Sequence, residues 1–288
     1  MIKSLVIYGL FIVNFLLTIS STSAAADFHL PLYDSDDKYF ADVLRLALKA
    51  EGGKHELIIH DHTVGQLRTM RELEEGKFNI FYTGYSRERE QTFIQINIPL
   101  ARGLLGYRVL AIRQVSEDLI RQLHGFEAFK SVVTLGANAS WPDTGIMQSA
   151  GLQVITAPTD ALWPMLKRGR FLAFPRSIIE VKPELERFDT DANNPLIIAP
   201  DVMLAYRYDT FFYVAKGRDD LARIVEDGLK AAYEDGSFMA HFNADPNMAY
   251  AIRQLKDHPR KIHWIDMPDM SETTHTIPEK YWHDPAVN

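Results

Sequence analysis

The chain has 288 residues, a formal net charge of −7 and 47% hydrophobic residues, which suits one large globular domain or two of ordinary size. It contains no cysteine, which excludes a disulfide framework, a thiol nucleophile, a zinc knuckle and a lipid-modified cysteine behind a leader. The acidic balance, with Lys and Arg scattered along the chain, argues against a nucleic-acid surface.

Residues 1–26 read as a signal peptide. Lys3 supplies the positive start, Leu5 to Ile19 is a nearly unbroken apolar run, and Ala24-Ala25-Ala26 fits a small-residue cleavage site. The run is short for a membrane span and contains Asn14, so an uncleaved anchor is the lesser alternative. The mature chain is expected to begin near Asp27, and export without disulfides or a lipid anchor suggests a bacterial periplasm.

Phe28 to Tyr33 reads as a first strand. Tyr39 to Ala50 places Phe40, Val43, Leu44, Ala47 and Leu48 at helical spacing, and Gly52-Gly53 stops that helix. Glu56 to His60 is a second strand, Val64 to Glu75 a second helix with Leu67, Met70 and Leu73 on one face, and Phe78 to Tyr82 a third strand. That alternation predicts a parallel sheet covered by helices. Next comes Gly103 to Arg113, in which Val109, Leu110, Ala111 and Ile112 form the continuous apolar run of a strand buried on both faces. Arg108 opens the run. Its guanidinium either meets solvent or a structural carboxylate, or points into a cleft to grip an anion with its two-pronged donors.

A second unit follows. Helices are expected over 117–129, 141–150 and 160–168, with strands over 131–135, 152–156 and 171–174. Asp189 to Pro195 reads as a polar loop, Thr210 to Ala215 as a strand and Asp219 to Glu234 as an amphipathic helix. From His258 onward the chain reads as an ordered extension across the surface. Two α/β units joined by extended segments at 107–113 and 208–215 imply two crossings between lobes, with a ligand cleft between them. His60-Asp61-His62 places two imidazoles on one side at a spacing a transition metal accepts, with His29 a distant third; solvated loop histidines are the plainer reading. No nucleophile elbow, phosphate loop or dinucleotide fingerprint is present, so neither a catalytic residue nor a cofactor nor a metal is assigned.

The order of these segments resembles a type II periplasmic solute-binding protein, in particular the family 3 group that includes amino-acid receptors of ABC transporters. Gly84-Tyr-Ser-Arg-Glu-Arg89 stands in the place of that family's Ser-Ile-Thr-Pro-Glu-Arg run, with Arg87 replacing its proline. Tyr107 to Ile112 is similar to the crossing strand, Phe211 to Gly217 to the returning strand, and Glu234-Asp-Gly-Ser-Phe238 to the closing Asp-Gly-Thr-Tyr turn. The resemblance implies an α/β, two-lobed type II fold, each lobe a mostly parallel sheet with flanking helices and two crossover strands as hinge. Lobe 1 would take 27–111 and 213–288, including the C-terminal extension, and lobe 2 would take 112–212. It also implies capture of a small anionic, possibly amino-acid-like, solute for an ABC-type permease, by a monomer with no nucleic-acid partner. A dehydratase- or hydrolase-like enzyme on the same scaffold, or a sensory protein docking on a receptor, are the alternatives.

By the same resemblance Arg108 falls on the carboxylate-binding arginine. Thr83, Tyr85 and Ser86 fall on the polar loop of the first lobe, and Tyr33 on an aromatic position against the ligand. Trp141 and Thr144 fall at the anion-binding turn of the second lobe, where a Ser140-x-x-Asp143 capping box is also expected. Where relatives carry an acidic residue for the ligand's ammonium, this chain has Leu172 and Arg176 or Ser177. Arg108 and Arg176 are therefore expected to face each other from opposite lobes across an anion, with Arg176 paired to Glu180 as the alternative.

Overall fold

The computed structural model describes residues 25–32, 38–61, 64–267 and 269–283. Most of the leader, Tyr33 and His62 lie outside the described residues. The chain opens with β1 (Asp27–Leu32), α1 (Lys38–Glu51), β2 (Glu56–Asp61), α2 (Gln66–Glu74), β3 (Ile80–Gly84), α3 (Arg87–Thr92) and β4 (Phe93–Gln95). The middle holds β5 (Tyr107–Arg113), α4 (Glu117–Arg121), α5 (Phe126–Val132), β6 (Thr134–Ala137), α6 (Pro142–Ser149) and β7 (Gln153–Thr156). It continues through α7 (Thr159–Lys167), β8 (Ala173–Ser177), α8 (Val181–Phe188) and β9 (Leu196–Ala205). Then come β10 (Thr210–Ala215), α9 (Asp219–Glu234), α10 (Ser237–Ala244), α11 (Pro246–Asp257), β11 (Lys261–Trp264) and α12 (Glu272–His275).

The first lobe is built on β1 paired parallel with β2, and on β10 lying antiparallel between β3 and β4. β3 therefore joins β10, where the alternation of elements had pointed to one parallel sheet with β1 and β2. Thr210 to Val214 are buried throughout, the pattern of a central strand covered on both faces. The second lobe is a six-stranded sheet in the order β11-β9-β5-β8-β6-β7. It is mixed: β5 runs antiparallel to both β8 and β9, whereas the β11–β9, β8–β6 and β6–β7 pairs are parallel.

Each of β5 and β10 belongs wholly to one sheet, so the chain's first two passages between lobes lie in 96–106 and 206–209, and not within those strands. The helix expected over 117–129 is two short ones, and Gly125 between them takes an extended positive-φ conformation (φ 88°, ψ 162°) that no helix contains. The extension from His258 does more than cover the surface. It adds β11 to the edge of the second sheet, then returns so that Ser271 and Thr274 bond to first-lobe residues.

Candidate functional site

A cleft of about 720 Å³ lies between the lobes. Tyr39, Phe40, Tyr82, Thr83 and Arg89 line it from the first lobe, and Trp141, Asp143, Trp163, Arg176, Glu180 and Glu184 from the second. Aromatic rings thus stand on both walls, a setting that suits a small organic body held by a few polar groups.

Arg108 is the second residue of β5 and is 4% exposed. Its guanidinium is ion-paired to Asp143, lies 3.5 Å from Glu180, and donates through Nε to Tyr206 Oη at 3.0 Å. Tyr206 in turn donates to Asp143. Burial alone would lower the pKa of Arg108, but Asp143, with help from Tyr206 and Glu180, raises it. Burial likewise pushes the Tyr206 phenol well up, so it stays a donor. Arg176 on β8 makes a fork with Glu184, at 2.6 Å and 2.5 Å, and reaches Glu180 at 3.1 Å. Its guanidinium carbon sits 4.9 Å from the Trp141 ring centre, within cation–π range. Burial raises the pKa of Glu184 against the pull of Arg176.

Arg108 and Arg176 therefore come from neighbouring strands of the same sheet, with Val109 opposite Arg176. The expectation that they meet from opposite lobes is not met. The repulsion between them is relieved by the chain's own carboxylates: Asp143 beside Arg108, Glu184 beside Arg176, and Glu180 in contact with both.

Arg89 is different. It is 4% exposed, lines the cleft, and donates to Thr83 Oγ1 at 2.9 Å, the Gly84 carbonyl at 2.6 Å and Gln66 Oε1 at 3.2 Å. All three are neutral oxygens. A local reason places it there: Ser86 caps α3 by accepting the Arg89 N–H at 3.2 Å, which fixes the first turn and turns the side chain back over β3.

Of the residues expected in the site, Thr83, Arg108, Trp141 and Arg176 line the cleft. Tyr85 does not: its phenol donates to Glu90 at 3.3 Å and accepts the Ser271 N–H at 2.8 Å, so the C-terminal extension claims it. Ser86 is used in the cap, and with Tyr85 borders a smaller cavity of about 260 Å³. Thr144 is buried and donates to the Asn138 carbonyl at 2.7 Å. The expected capping box at Ser140 is not formed either, since Trp141 is the N-cap and Asp143 is committed to Arg108. His29 Nδ1 and His60 Nε2 stand 3.0 Å apart, and among the described residues no group of three metal-ligating side chains forms.

The sequence marks Asp143 only as part of a helix cap, and it marks neither Glu184 nor the cleft role of Arg89. Arg89 was inside the quoted Gly84–Arg89 run, but nothing local to the run says that its charge lacks a carboxylate. Glu180 and Glu184 stand four and eight residues beyond Arg176, a spacing that a strand followed by a helix turns back toward the strand end.

No protein-family model matches the chain, and no curated protein matches it at a significant level. Solved structures do. The periplasmic VFT2 domain of BvgS from Bordetella pertussis is 16% identical, with TM-score 0.55 over 75% of this chain and 92% of that one. A probable amino-acid ABC transporter extracellular-binding protein from Bacillus subtilis is 12% identical, with TM-score 0.55 over 75% and 96%. The chain has the two-lobed type II periplasmic binding-protein fold. A Salmonella typhimurium periplasmic binding protein of high arginine specificity agrees, at 15% identity and TM-score 0.53 over 75% and 97%. Identities this low establish the shared fold and leave the chemistry to the residues of the cleft. Among the described residues no helix of this type II fold is long and apolar enough to cross a membrane.

Proposed function

We propose that this chain is a periplasmic solute-binding protein of the family 3 type, which closes its lobes on a small solute bearing an anionic group and delivers it to an ABC-type permease. One observation carries the reading. Arg108 and Arg176 are neutralised within the protein, whereas Arg89 is a buried cleft guanidinium whose hydrogen-bond partners are all neutral oxygens. Burying a charge without a counter-ion costs several kcal/mol, a cost that a solute carboxylate offsets with charge-assisted bonds. Asp143, Glu180 and Glu184 offer negative charge on the opposite wall, so an amino-acid-like zwitterion fits better than a simple anion. The amino-acid and arginine receptors among the structural neighbours support this class.

A binding role is favoured over an enzyme because those three carboxylates are ion-paired to guanidiniums, which leaves no unengaged acid–base pair among them. Export with cleavage near Asp27, a monomeric state and lobe boundaries near 106 and 209 complete the proposal. A thermal-shift screen of amino acids and small carboxylic acids tests it. At least one should raise Tm saturably, and Arg89→Ala should abolish that rise while remaining folded. A solute bound equally well by Arg89→Ala would overturn the assignment.

A further inference from the structure

Glu180 immediately precedes α8 and holds a place of its own in the second-lobe network. Its Oε2 lies 3.1 Å from Arg176 Nη2 and 3.5 Å from Arg108 Nη1, and accepts the Ser177 N–H at 3.3 Å. Two guanidinium edges and a backbone N–H converging on one oxygen form an anion subsite. Here the chain's own side chain fills it. Glu180 is also the outermost of the three carboxylates, its side chain 35% exposed against 11% for Asp143 and 25% for Glu184. The inner two each serve one guanidinium, and Glu180 bridges both.

We infer that Glu180 is a specificity-determining residue, which occupies the second anion subsite of the cleft and so restricts it to solutes with a single anionic group. The inference rests on the solute-binding reading above, with Arg89 as the first anion subsite. With every group ionised, two guanidiniums and three carboxylates leave the cluster one charge negative. It therefore repels a second anionic group instead of recruiting it. Without Glu180 the cluster is neutral, each guanidinium keeps only its inner carboxylate, and the Ser177 N–H loses its side-chain acceptor.

Calorimetry with sulfate and glutarate as probes tests this on the wild type, Glu180→Ala, Glu180→Gln and two double variants. Glu180→Ala should bind glutarate about tenfold more tightly than the wild type, the worth of one charge-assisted hydrogen bond. It should also bind sulfate saturably where the wild type does not. Adding Arg176→Ala to Glu180→Ala should remove the sulfate gain, whereas adding Arg89→Ala should leave it, because sulfate then sits on the second lobe alone. That last arm separates the inference from the assignment of Arg89. Glu180→Gln keeps the volume and an acceptor for Ser177 while removing the charge, so it should gain several-fold even if the alanine variant folds poorly. Wild-type affinity in a folded Glu180→Ala or Glu180→Gln protein, or a gain that survives Arg176→Ala, would overturn the inference.

Discussion

Asp209 has no exposed surface and lies where the chain returns from the second lobe to the first. One of its oxygens accepts the N–H groups of Ala101 at 3.0 Å and Gly103 at 2.7 Å, and the other accepts that of Thr210 at 2.8 Å. Burial pushes its pKa from 3.8 up to about 7, against the opposing pull of those donors. The folded state therefore holds this proton more tightly than the unfolded state. The associated stability is fully present below pH 3.8 and is lost as pH rises through about 7. At ~1.4 kcal/mol per unit the shift corresponds to stability on the order of 4 kcal/mol. Asp209→Asn keeps an acceptor for two of the three N–H groups and cannot titrate. Urea unfolding of both proteins should show the wild type gaining on the variant by a few kcal/mol between pH 8 and pH 4.5; parallel pH profiles would refute the assignment. Neither this carboxylate's burial nor the partners of Arg108 were legible in the sequence, for the same physical reason. Asp209 meets residues more than a hundred positions away, and Asp143 lies 35 positions after Arg108. The neutralisation of both Arg108 and Arg176 depends on a helix and a neighbouring strand arriving at one place.

At the scale of elements, α9 shows why some pieces could be read directly. Its apolar positions recur at helical spacing and bury Leu221, Ile224, Val225 and Leu229 in one stripe, so the expected helix over 219–234 is the observed one. Inside that stripe stands Gly228, costly in a helix by roughly 1 kcal/mol relative to alanine. The packing explains it: a Cβ there would lie 2.1 Å from the Ala47 carbonyl oxygen of α1. The two helices approach so closely that a methyl group forces their backbones apart. Gly228→Ala should therefore destabilise the protein by about 2 kcal/mol or more despite its better helix propensity, as measured by chemical denaturation. A stabilised variant would show that the helices can separate freely. Other elements carried too little local signal. β9 follows the polar stretch 189–195 and includes Pro200 and Asp201, and β11 is only Lys-Ile-His-Trp. Four residues hold too few alternations to declare a strand. Its place is decided by pairing with Val202 to Ala205, a contact made more than fifty residues away.

Over the whole molecule, the C-terminal segment changes what the two-lobed fold can do. Two passages, 96–106 and 206–209, connect the lobes ahead of the extension, and lobe closure of this kind is absorbed by a few residues in such passages. Here both are held by the extension. Arg102 donates to the carbonyls of Lys280 at 3.0 Å and Trp282 at 2.8 Å, and its own carbonyl accepts the His283 N–H at 2.6 Å. Gly103, with φ 83°, lets the Trp282 ring lie where a Cβ would be only 2.7 Å from it. Arg207 donates to the Ile277 carbonyl at 2.9 Å, pairs with Glu279 at 2.9 Å, and rests 4.1 Å from the centre of the Trp282 ring. β11, upstream of this clamp, is hydrogen-bonded into the second-lobe sheet, and Ser271 and Thr274 are bonded to the first. Opening the lobes must therefore strain the extension's own crossings to β11 and back and repack one tryptophan against both passages. Trp282→Ala should widen the range of lobe separations more than any loss of overall stability explains. The cysteine-free chain permits a clean measurement. Spin labels at Leu67→Cys and Ile155→Cys, which are 62% and 36% exposed on α2 and β7, report the inter-lobe distance. The distribution should be narrow with Trp282 present, and broader and longer with Trp282→Ala at a temperature where both proteins are folded. Identical distributions would mean that the extension rides on the lobes without restraining them.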